Sequence, residues 1–387
     1  MDRRGFIKMI GVGAAATTFS SALLGCSDGS AAVDFGWNGP AADEKDIRLK
    51  VLAYAILCPN PHNKQPWLIK LNSPNSFDLF VDQERLLPET DPYARQIHIG
   101  QGTFLETLSI AATAYGYQAD IDYFPDGEYS NLVIEDLPVA RITLLEQNDM
   151  ATDPLFSHLL TRQSNKREYD NSLLTPKQKA QLTLWANSSS GQLTLVDGKE
   201  QQAYMQQMLT EAMQIEVGNQ ARDMETIKMF RFNDAEVAKY RDGFGLAHSG
   251  VTGIKKFVAE TFILDRASTE KDPSDFGKQS VEVARSASQS TSTFAWLSTK
   301  TNSRLDQVKI GRDYCRLNLT TTAMGLAQHP MSQVLQEYPD MLPLQQAFKQ
   351  QFNIAETDTV QMLVRLGKAA ATAHTPRRLV RDLIITN

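Results

Sequence analysis

The 387-residue chain has little cysteine, no clustered histidine and no excess of positive charge. Its three cysteines, Cys26, Cys58 and Cys315, are too few for a disulfide framework. Its six histidines show no His-x-x-x-His spacing and the cysteines no Cys-x-x-Cys spacing, so we predict no dedicated metal site. The formal net charge of −6 lacks the basic footprint of a nucleic-acid-binding protein, and we predict no nucleic-acid partner.

Long hydrophobic runs are also missing, and the N-terminus instead carries an export-like pattern. Arg3 and Arg4 precede a mildly apolar stretch, residues 10–25, that is shorter and more polar than the about 20 apolar residues of a spanning helix. A twin arginine before such a stretch is typical of a Tat signal, which the Tat export machinery recognises, and Leu-Leu-Gly-Cys26 resembles a bacterial lipoprotein box.

We therefore predict a signal peptide over residues 1–25, lipidation of Cys26 and a lipid-anchored protein on the periplasmic side of a membrane. The alternative is an ordinary cleaved signal with a coincidental cysteine. Residues 26–43 are rich in Ser, Gly, Asp and Ala, a composition that predicts a tether.

The remaining length favours two cores, because a single hydrophobic core stops growing at about 250–300 residues. We place a first half at residues 44–150 and a second half at residues 151–387. Within the second half, the charged stretch of about 218–292 is predicted to be a lid or insertion; a peripheral decoration is the alternative.

Patterning of apolar and turn residues predicts the main elements. Helices are expected at about 46–57 and 102–114 and after Thr175, where a proline follows a capping residue. Strands are expected at 67–71, 77–82, 119–124, 139–145, 192–196 and 359–366.

An internal repeat supports two related halves. Two glycines lie 14 residues apart in 102–116 and again in 311–325. Four pairs between them align without gaps: Leu108 with Leu317, Ile110 with Leu319, Thr113 with Thr322 and Ala114 with Ala323. Two Ala/Thr-rich core helices that end at a glycine can also look alike by chance, so this alternative stays open.

Two polar segments carry the chemistry. In Pro59–Trp67 two prolines stiffen a turn, and the amide of Asn63 can donate and accept hydrogen bonds at once. In the segment from Arg162 to Lys166, alternate residues of an extended chain point to one side, so Arg162, Ser164 and Lys166 can face one anion. A guanidinium, a hydroxyl and an ammonium suit a phosphate; a solvated basic loop is the alternative.

Both segments resemble motifs of the nitroreductase family, and the surrounding sequence resembles its Acg-like branch. The family carries Pro-Ser-x-x-Asn-x-Gln-Pro-Trp and Arg-x-Ser-x-Arg/Lys. The Acg-like branch adds Leu-Pro-x-x-Asp-Pro-x-x-Arg, here Leu87–Arg95, and Thr-Pro-Arg-Arg, here Thr375–Arg378. The similarity covers most of residues 44–387, and Asn60 stands where the family usually has Ser.

The resemblance implies an α+β fold, a nitroreductase-like three-layer α/β/α sandwich whose two halves mimic the family's homodimer, and an FMN cofactor. Residues 328–331 match the family's loop beside flavin N5. No catalytic side chain is expected, because flavin N5 carries the chemistry and Lys166 would stabilise the negative charge that reduction deposits near N1 and O2. The implied cofactor-binding residues are Asn60, His62, Asn63, Gln65, Arg162, Ser164, Lys166 and one or other of Arg377 and Arg378.

Each half contains only one of the two motifs, so we expect one FMN per chain and a monomer. The implied activity is an FMN-dependent oxidoreductase that reduces nitroaromatic or quinone-like small molecules with an unknown electron donor. The alternative is an exported lipoprotein that holds or sequesters FMN without turnover, which export favours because NAD(P)H is scarce outside the cytoplasm. A third reading is a protein that kept the fold and lost the cofactor.

Overall fold

The computed structural model describes residues 36–385. The predicted signal and lipidation residues Arg3, Arg4 and Cys26 lie outside the described residues. Within the described range, no helix combines the length and the apolar character needed to cross a membrane.

Helices and strands follow one another along the chain as a mixed α+β protein. The helices are α1 (Ile47–Ala55), α2 (Arg95–Thr113), α3 (Pro176–Ala186), α4 (Lys199–Val217), α5 (Gln220–Met229), α6 (Asp234–Tyr240), α7 (Gly253–Phe262), α8 (Arg266–Lys271), α9 (Ser274–Gln289), α10 (Arg304–Ala323) and α11 (Leu342–Gln351). The strands are β1 (Trp67–Leu71), β2 (Ser76–Val81), β3 (Tyr117–Tyr123), β4 (Ala140–Glu146), β5 (Gln192–Val196), β6 (Phe230–Arg231), β7 (Phe244–Gly245), β8 (Thr293–Thr299), β9 (Ala327–Pro330) and β10 (Thr359–Gly367).

Two four-stranded antiparallel sheets share one connectivity. The first sheet has the order β1-β2-β4-β3 and the second the order β5-β8-β10-β9. In each sheet a long helix, α2 or α10, joins the second strand to the third, and the last strand returns to the middle. The predicted α+β class is confirmed, and the second sheet repeats the topology of the first.

The second sheet is buried on both faces. Along β8, Phe294 and Trp296 belong to a core shared with α4, α9 and α11, while Ala295 and Leu297 belong to a core shared with α3 and α10. Because successive side chains of a strand point to opposite faces, this division means that helices cover both sides of the sheet. The second half therefore has the helix–sheet–helix layers of an α/β/α sandwich.

The first sheet has one apolar and one polar face. Trp67, Phe77 and Leu79 are fully buried against α1 and α2. On the opposite face Arg141 Nε donates to Asp78 Oδ1 at 2.8 Å. This alternation is typical of an antiparallel sheet with one solvated face.

The two central helices, α2 and α10, cross at the repeated glycines. A Cβ atom on Gly102 would lie 1.9 Å from the carbonyl oxygen of Val308, and one on Gly311 would lie 2.1 Å from that of Ile99. The two contacts are reciprocal, because residues 99 and 102 stand at the same repeat positions as 308 and 311. Reciprocal contacts of this kind are what a two-fold axis between two similar units produces.

The last residues of the chain return to the first half. Ile385 N donates to Ile69 O at 2.9 Å, next to a parallel bridge between Ile69 and Ile384. Arg377 Nε donates to Ile56 O, after the end of α1, at 2.6 Å. The C-terminal segment therefore ties the second half to the edge of the first sheet.

Helix α2 and strand β8 are among the elements that differ from the sequence prediction. Helix α2 begins at Arg95 rather than near Gly102, because the carboxylate of Asp91 accepts hydrogen bonds from the amides of Gln96 (3.1 Å) and Ile97 (2.9 Å) in its first turn. Strand β8 was not predicted. It is buried on both faces and therefore lacks the polar–apolar alternation that identifies a half-buried strand.

Substitution of either crossing glycine by alanine is expected to destabilise the protein. The added methyl group meets backbone, which cannot rotate away, so we expect Gly102→Ala and Gly311→Ala each to cost about 3 kcal/mol. Chemical denaturation of the variants measures this cost. Gly198→Ala is the control, because its added Cβ meets only the mobile end of Gln201; an equal effect in all three variants would contradict a backbone crossing.

Candidate functional site

A cavity of about 1180 Å³ lies between the two halves and the 218–292 stretch. Ligand sites commonly measure about 300–1,000 Å³, so this cavity has room for a cofactor and a second small molecule. Seven of the predicted cofactor-binding residues line it: Asn60, His62, Asn63, Arg162, Ser164, Lys166 and Arg377. Gln65 and Arg378 do not line it.

The side chain of Asn63 braces the turn. Its Nδ2 donates to Gly243 O and Pro376 O, both at 2.9 Å, and its Oδ1 accepts from Arg377 Nη1 at 2.8 Å. Backbone φ at Asn63 is 53°, in the left-handed region that asparagine tolerates well. These bonds fix the side chain of Asn63 in the cavity wall. Direct contact of its amide with a cofactor stays a prediction.

Gln65 and Arg378 form a buried tie behind the turn. Gln65 Nε2 donates to Arg241 O and Gln65 Oε1 accepts from Arg378 N, each at 2.8 Å. The Arg378 guanidinium donates to Asp82 Oδ2 at 3.2 Å. Neither residue lines the cavity, and both make structural contacts behind it. Their role as cofactor ligands stays a prediction.

Two buried arginines bind the carbonyl groups at the end of α1. Arg162 Nη1 donates to Leu57 O at 2.6 Å, next to the Arg377 bond to Ile56 O. Cations are favourable there because the helix dipole places partial negative charge at a C-terminus. Burial lowers the pKa of Arg377 to about 9, and the neighbouring charge of Arg162 adds to the decrease.

Lys166 lies in the cavity without an anionic partner. Its Nζ is 3.9 Å from the centre of the Phe244 ring, and within the described range no carboxylate lies within 4.0 Å of it. Burial lowers the pKa of this ammonium to about 8. An anion bound beside Lys166 would restore the charged form.

Four neutral histidines share this cavity. Desolvation lowers the pKa of His62, His248 and His374 to about 4 and that of His329 well below its usual value. His248 Nδ1 accepts from Gly245 N at 2.8 Å, and His329 Nδ1 accepts from Arg365 Nε at 3.1 Å. Both rings therefore carry their proton on Nε2 and can donate it in a hydrogen bond.

Some buried polar atoms of the lining residues have no partner in the described part of the chain. His62 Nδ1 and His374 Nε2 both belong to lining residues, and neither has a hydrogen-bond partner among the described residues. Buried polar atoms normally find partners, so these atoms indicate a polar ligand. Together with the cations that lack a carboxylate partner, they fit a phosphorylated heterocycle such as FMN.

Trp37 is a lining residue that the sequence reading assigned to the tether. Its Nε1 donates to Thr375 O at 2.8 Å, and its ring stacks on His374 with centroids 3.9 Å apart. A lone tryptophan in a Ser/Gly-rich stretch was the available signal, since a solvated tether has little use for a large apolar ring.

Residues 328–331, the segment predicted beside flavin N5, line the cavity only in part. His329, Pro330 and Met331 line the cavity, whereas Gln328 does not and its carbonyl accepts from Asn165 N at 2.9 Å. The predicted lid stretch supplies a long wall that includes Phe244 and much of α9. Gly243 N donates to Asn63 O at 3.2 Å, which joins this wall to the turn.

Comparison with known proteins finds relatives in Mycobacterium tuberculosis. "Putative NAD(P)H nitroreductase Rv3131" of Mycobacterium tuberculosis (strain H37Rv) is 36% identical over 103 residues, which are 25% of this chain and 29% of the relative. "Uncharacterized protein Rv3127" of the same organism is 25% identical over 335 residues, 84% of this chain and 88% of the relative. These matches support a relationship to the nitroreductase family. The match to the first relative spans less than a third of that protein's length, and no protein-family model matches the sequence.

Among solved structures, the FMN-dependent nitroreductase NfnB from Mycobacterium smegmatis in complex with NADPH is similar with a TM-score of 0.36 and 16% identity, over 59% of this chain and 96% of that one. A nitroreductase with bound FMN from Desulfitobacterium hafniense has a TM-score of 0.31 and 11% identity, over 59% and 94%.

Removal of the Asn63 brace is expected to destabilise the protein. Asn63→Ala leaves the carbonyls of Gly243 and Pro376 short of a donor, which should lower the free energy of unfolding by about 2–4 kcal/mol. Asn353→Ala is the matched control, because Asn353 also has positive φ (51°) but is exposed, and its side chain has no hydrogen bond within the described range. Denaturant titration should show the larger loss for Asn63→Ala; equal losses would mean that backbone strain alone is involved.

Proposed function

We propose that this protein binds FMN and acts as an oxidoreductase of the nitroreductase type, with nitroaromatic or quinone-like small molecules as electron acceptors. The observation that carries this proposal is the joining of the two motif segments in one cavity, where cations without carboxylate partners meet unsatisfied polar atoms. The similarity to proteins named as NAD(P)H nitroreductases supports it.

Some lining residues would contact FMN directly, and others would position those that do. Arg162, Ser164 and Lys166 would bind the phosphate and the N1/O2 edge, since all three residues of this motif line the cavity. Arg377 would act indirectly, because its guanidinium is bonded to Asn63 and to the carbonyls after α1. Bound FMN would supply two-electron transfer at its N5 position.

We expect one FMN per chain and a monomeric protein. Each of the two motifs occurs once in the sequence, so a single composite site can form from them. The reciprocal crossing of α2 and α10 gives the chain internally what a homodimer obtains from two subunits. Tat export, lipidation of Cys26 and a periplasmic location stay predictions alongside this proposal.

A sequestering role is the second candidate. The wall built by the 218–292 stretch is fastened to the turn by Gly243 and covers Lys166 with the Phe244 ring. A covered flavin would be retained well and would exchange electrons slowly. The alternative is therefore a protein that holds FMN without turnover.

Purification and anaerobic reduction distinguish these functions. The chain from residue 27 to 387 is expected to be yellow, with one released FMN per chain by absorbance and chromatography. Addition of NADH or NADPH without oxygen should bleach the flavin if the protein is an oxidoreductase, whereas a flavin that neither donor reduces supports sequestration. A colourless protein that cannot be reconstituted with FMN contradicts both.

Lys166 offers a direct test of FMN binding, because within residues 36–385 its ammonium makes no hydrogen bond or ion pair and lies over the Phe244 ring. Lys166→Met should weaken FMN about tenfold to a hundredfold, the value of one charge-assisted hydrogen bond, without lowering the melting temperature. In the unmodified protein the affinity should fall by up to about tenfold per pH unit above pH 8, because the free lysine, with a pKa of about 8, must first take up a proton.

Lys166→Arg is the control for this pH dependence. An arginine keeps its charge to a higher pH than a lysine, so FMN affinity of this variant should stay flat between pH 7 and pH 8.5, below the pKa of about 9 of the neighbouring Arg377. Fluorescence titration with FMN gives both profiles. A flat profile for the unmodified protein, or the same decrease in Lys166→Arg, would remove Lys166 from the binding site.

A further inference from the structure

Two carboxyl groups face the same cavity from its helical wall. Met213, Glu216 and Val217 lie on one face of α4, at the i, i+3 and i+4 positions, and Asp223 lies in the first turn of α5. Gly277 of α9 makes room for them, since a Cβ there would lie 3.0 Å from Asp223 Oδ2 and 3.2 Å from Val217 Cβ. Glu216 and Asp223 are called the carboxyl pair below.

The carboxyl pair is buried and has no cationic partner. Glu216 is 8% exposed and Asp223 is 7% exposed. Across residues 36–385, no basic nitrogen lies within 4.0 Å of either carboxylate, and the Asp223 side chain makes no hydrogen bond. Among the described residues, the Glu216 carboxylate accepts one hydrogen bond, from the Tyr338 hydroxyl at 3.5 Å.

Arg222, next to the pair in sequence, forms its ion pair with another carboxylate. Arg222 donates to both oxygens of Asp340, at 2.8 and 2.7 Å, and its guanidinium carbon lies 3.5 Å from the centre of the Tyr338 ring. Its hydrogen bonds therefore go to a different carboxylate, and it acts on Glu216 only through its charge, which lowers the Glu216 pKa against the larger effect of burial. Within the described range, the pair faces the cavity without a directly bonded cation.

Burial makes this arrangement unfavourable in the empty protein. Desolvation raises the pKa of Glu216 to about 7 and that of Asp223 to about 6. Gln279 Oε1, in the same wall, is a further buried acceptor without a partner. Unpaired buried acceptors cost free energy, and a cationic donor placed between them removes that cost.

We propose that the carboxyl pair binds the protonated nitrogen of an organic cation, a protonated amine or a charged nitrogen heterocycle, whose apolar part packs on Met213, Val217 and Phe276. These three side chains line the wall beside the pair, and an aromatic face such as that of Phe276 also attracts a cation. The inference rests on the proposed function only in making this cation a substrate; its binding needs no flavin.

The charges of the cavity also orient such a molecule. Arg162 and Lys166 line one region and repel a cationic group, while the carboxyl pair attracts it. The cationic end would therefore lie at the helices and the uncharged end would point toward the two motif segments. This orientation selects against anionic ligands of the same shape.

The test compares benzylammonium with benzyl alcohol, which has nearly the same shape and no charge. Calorimetric titrations at pH 8, where both carboxyl groups are ionised, should show benzylammonium binding at least tenfold more tightly to the full chain. Glu216→Gln combined with Asp223→Asn should abolish this preference while the melting temperature at pH 8 stays the same or rises, because an unpaired buried charge has been removed.

Asp275→Asn is the matched control, since Asp275 also lines the cavity but is exposed. It should leave the tenfold preference unchanged. Equal binding of the two probes, tighter binding of benzyl alcohol, or the same loss in Asp275→Asn as in the double variant would overturn the proposal. Flavin content, measured separately on each sample, reports on the proposed function, so that a failure of one is not mistaken for a failure of the other.

Discussion

The crossing of α2 with α10 at two glycines sets the position of both motif segments. Thr103, next to Gly102, donates its hydroxyl proton to Pro59 O at 2.6 Å and so holds the turn against α2. On α10, Asn318 accepts from Arg162 Nε at 2.7 Å and holds the basic segment. A wider crossing would move these two anchors apart. The site therefore depends on two glycines, Gly102 and Gly311, that belong to neither motif but allow the close crossing.

Charge in the cavity is divided between groups that are fixed and groups that are available. The carbonyls that follow α1 hold Arg162 and Arg377 in place. Their positive charges are therefore fixed at this part of the cavity wall, where the helix dipole favours them. Lys166 and the carboxyl pair make no ion pairs within the described residues, and burial shifts their pKa values toward the neutral form. Functional groups are often kept in this energetically unfavourable state, because ligands supply the missing partners.

The sequence predicted helices and strands well where the signal lies within the element itself. The strand at 192–196 has the predicted bounds and the helix capped by Thr175 begins where it was predicted, because alternation and capping are local effects. The glycine repeat indicated two equivalent helices but did not predict that they pack on each other. The roles of Asn63 and Gln65 were not predictable, since their partners are backbone groups of Gly243, Pro376 and Arg241, far away in sequence. Trp37 and the carboxyl pair depend in the same way on packing between distant segments.

The bond from Ile385 to Ile69 has a consequence for synthesis of the chain. A ribosome releases β1 and α1 long before the C-terminal segment, so the edge of β1 and the carbonyls after α1 wait for their partners until that segment has been made. Contacts between residues so distant in sequence form slowly. Until they form, the cavity lacks the part of its wall that Thr375 and Arg377 supply, and a ligand can enter there without displacing a finished wall.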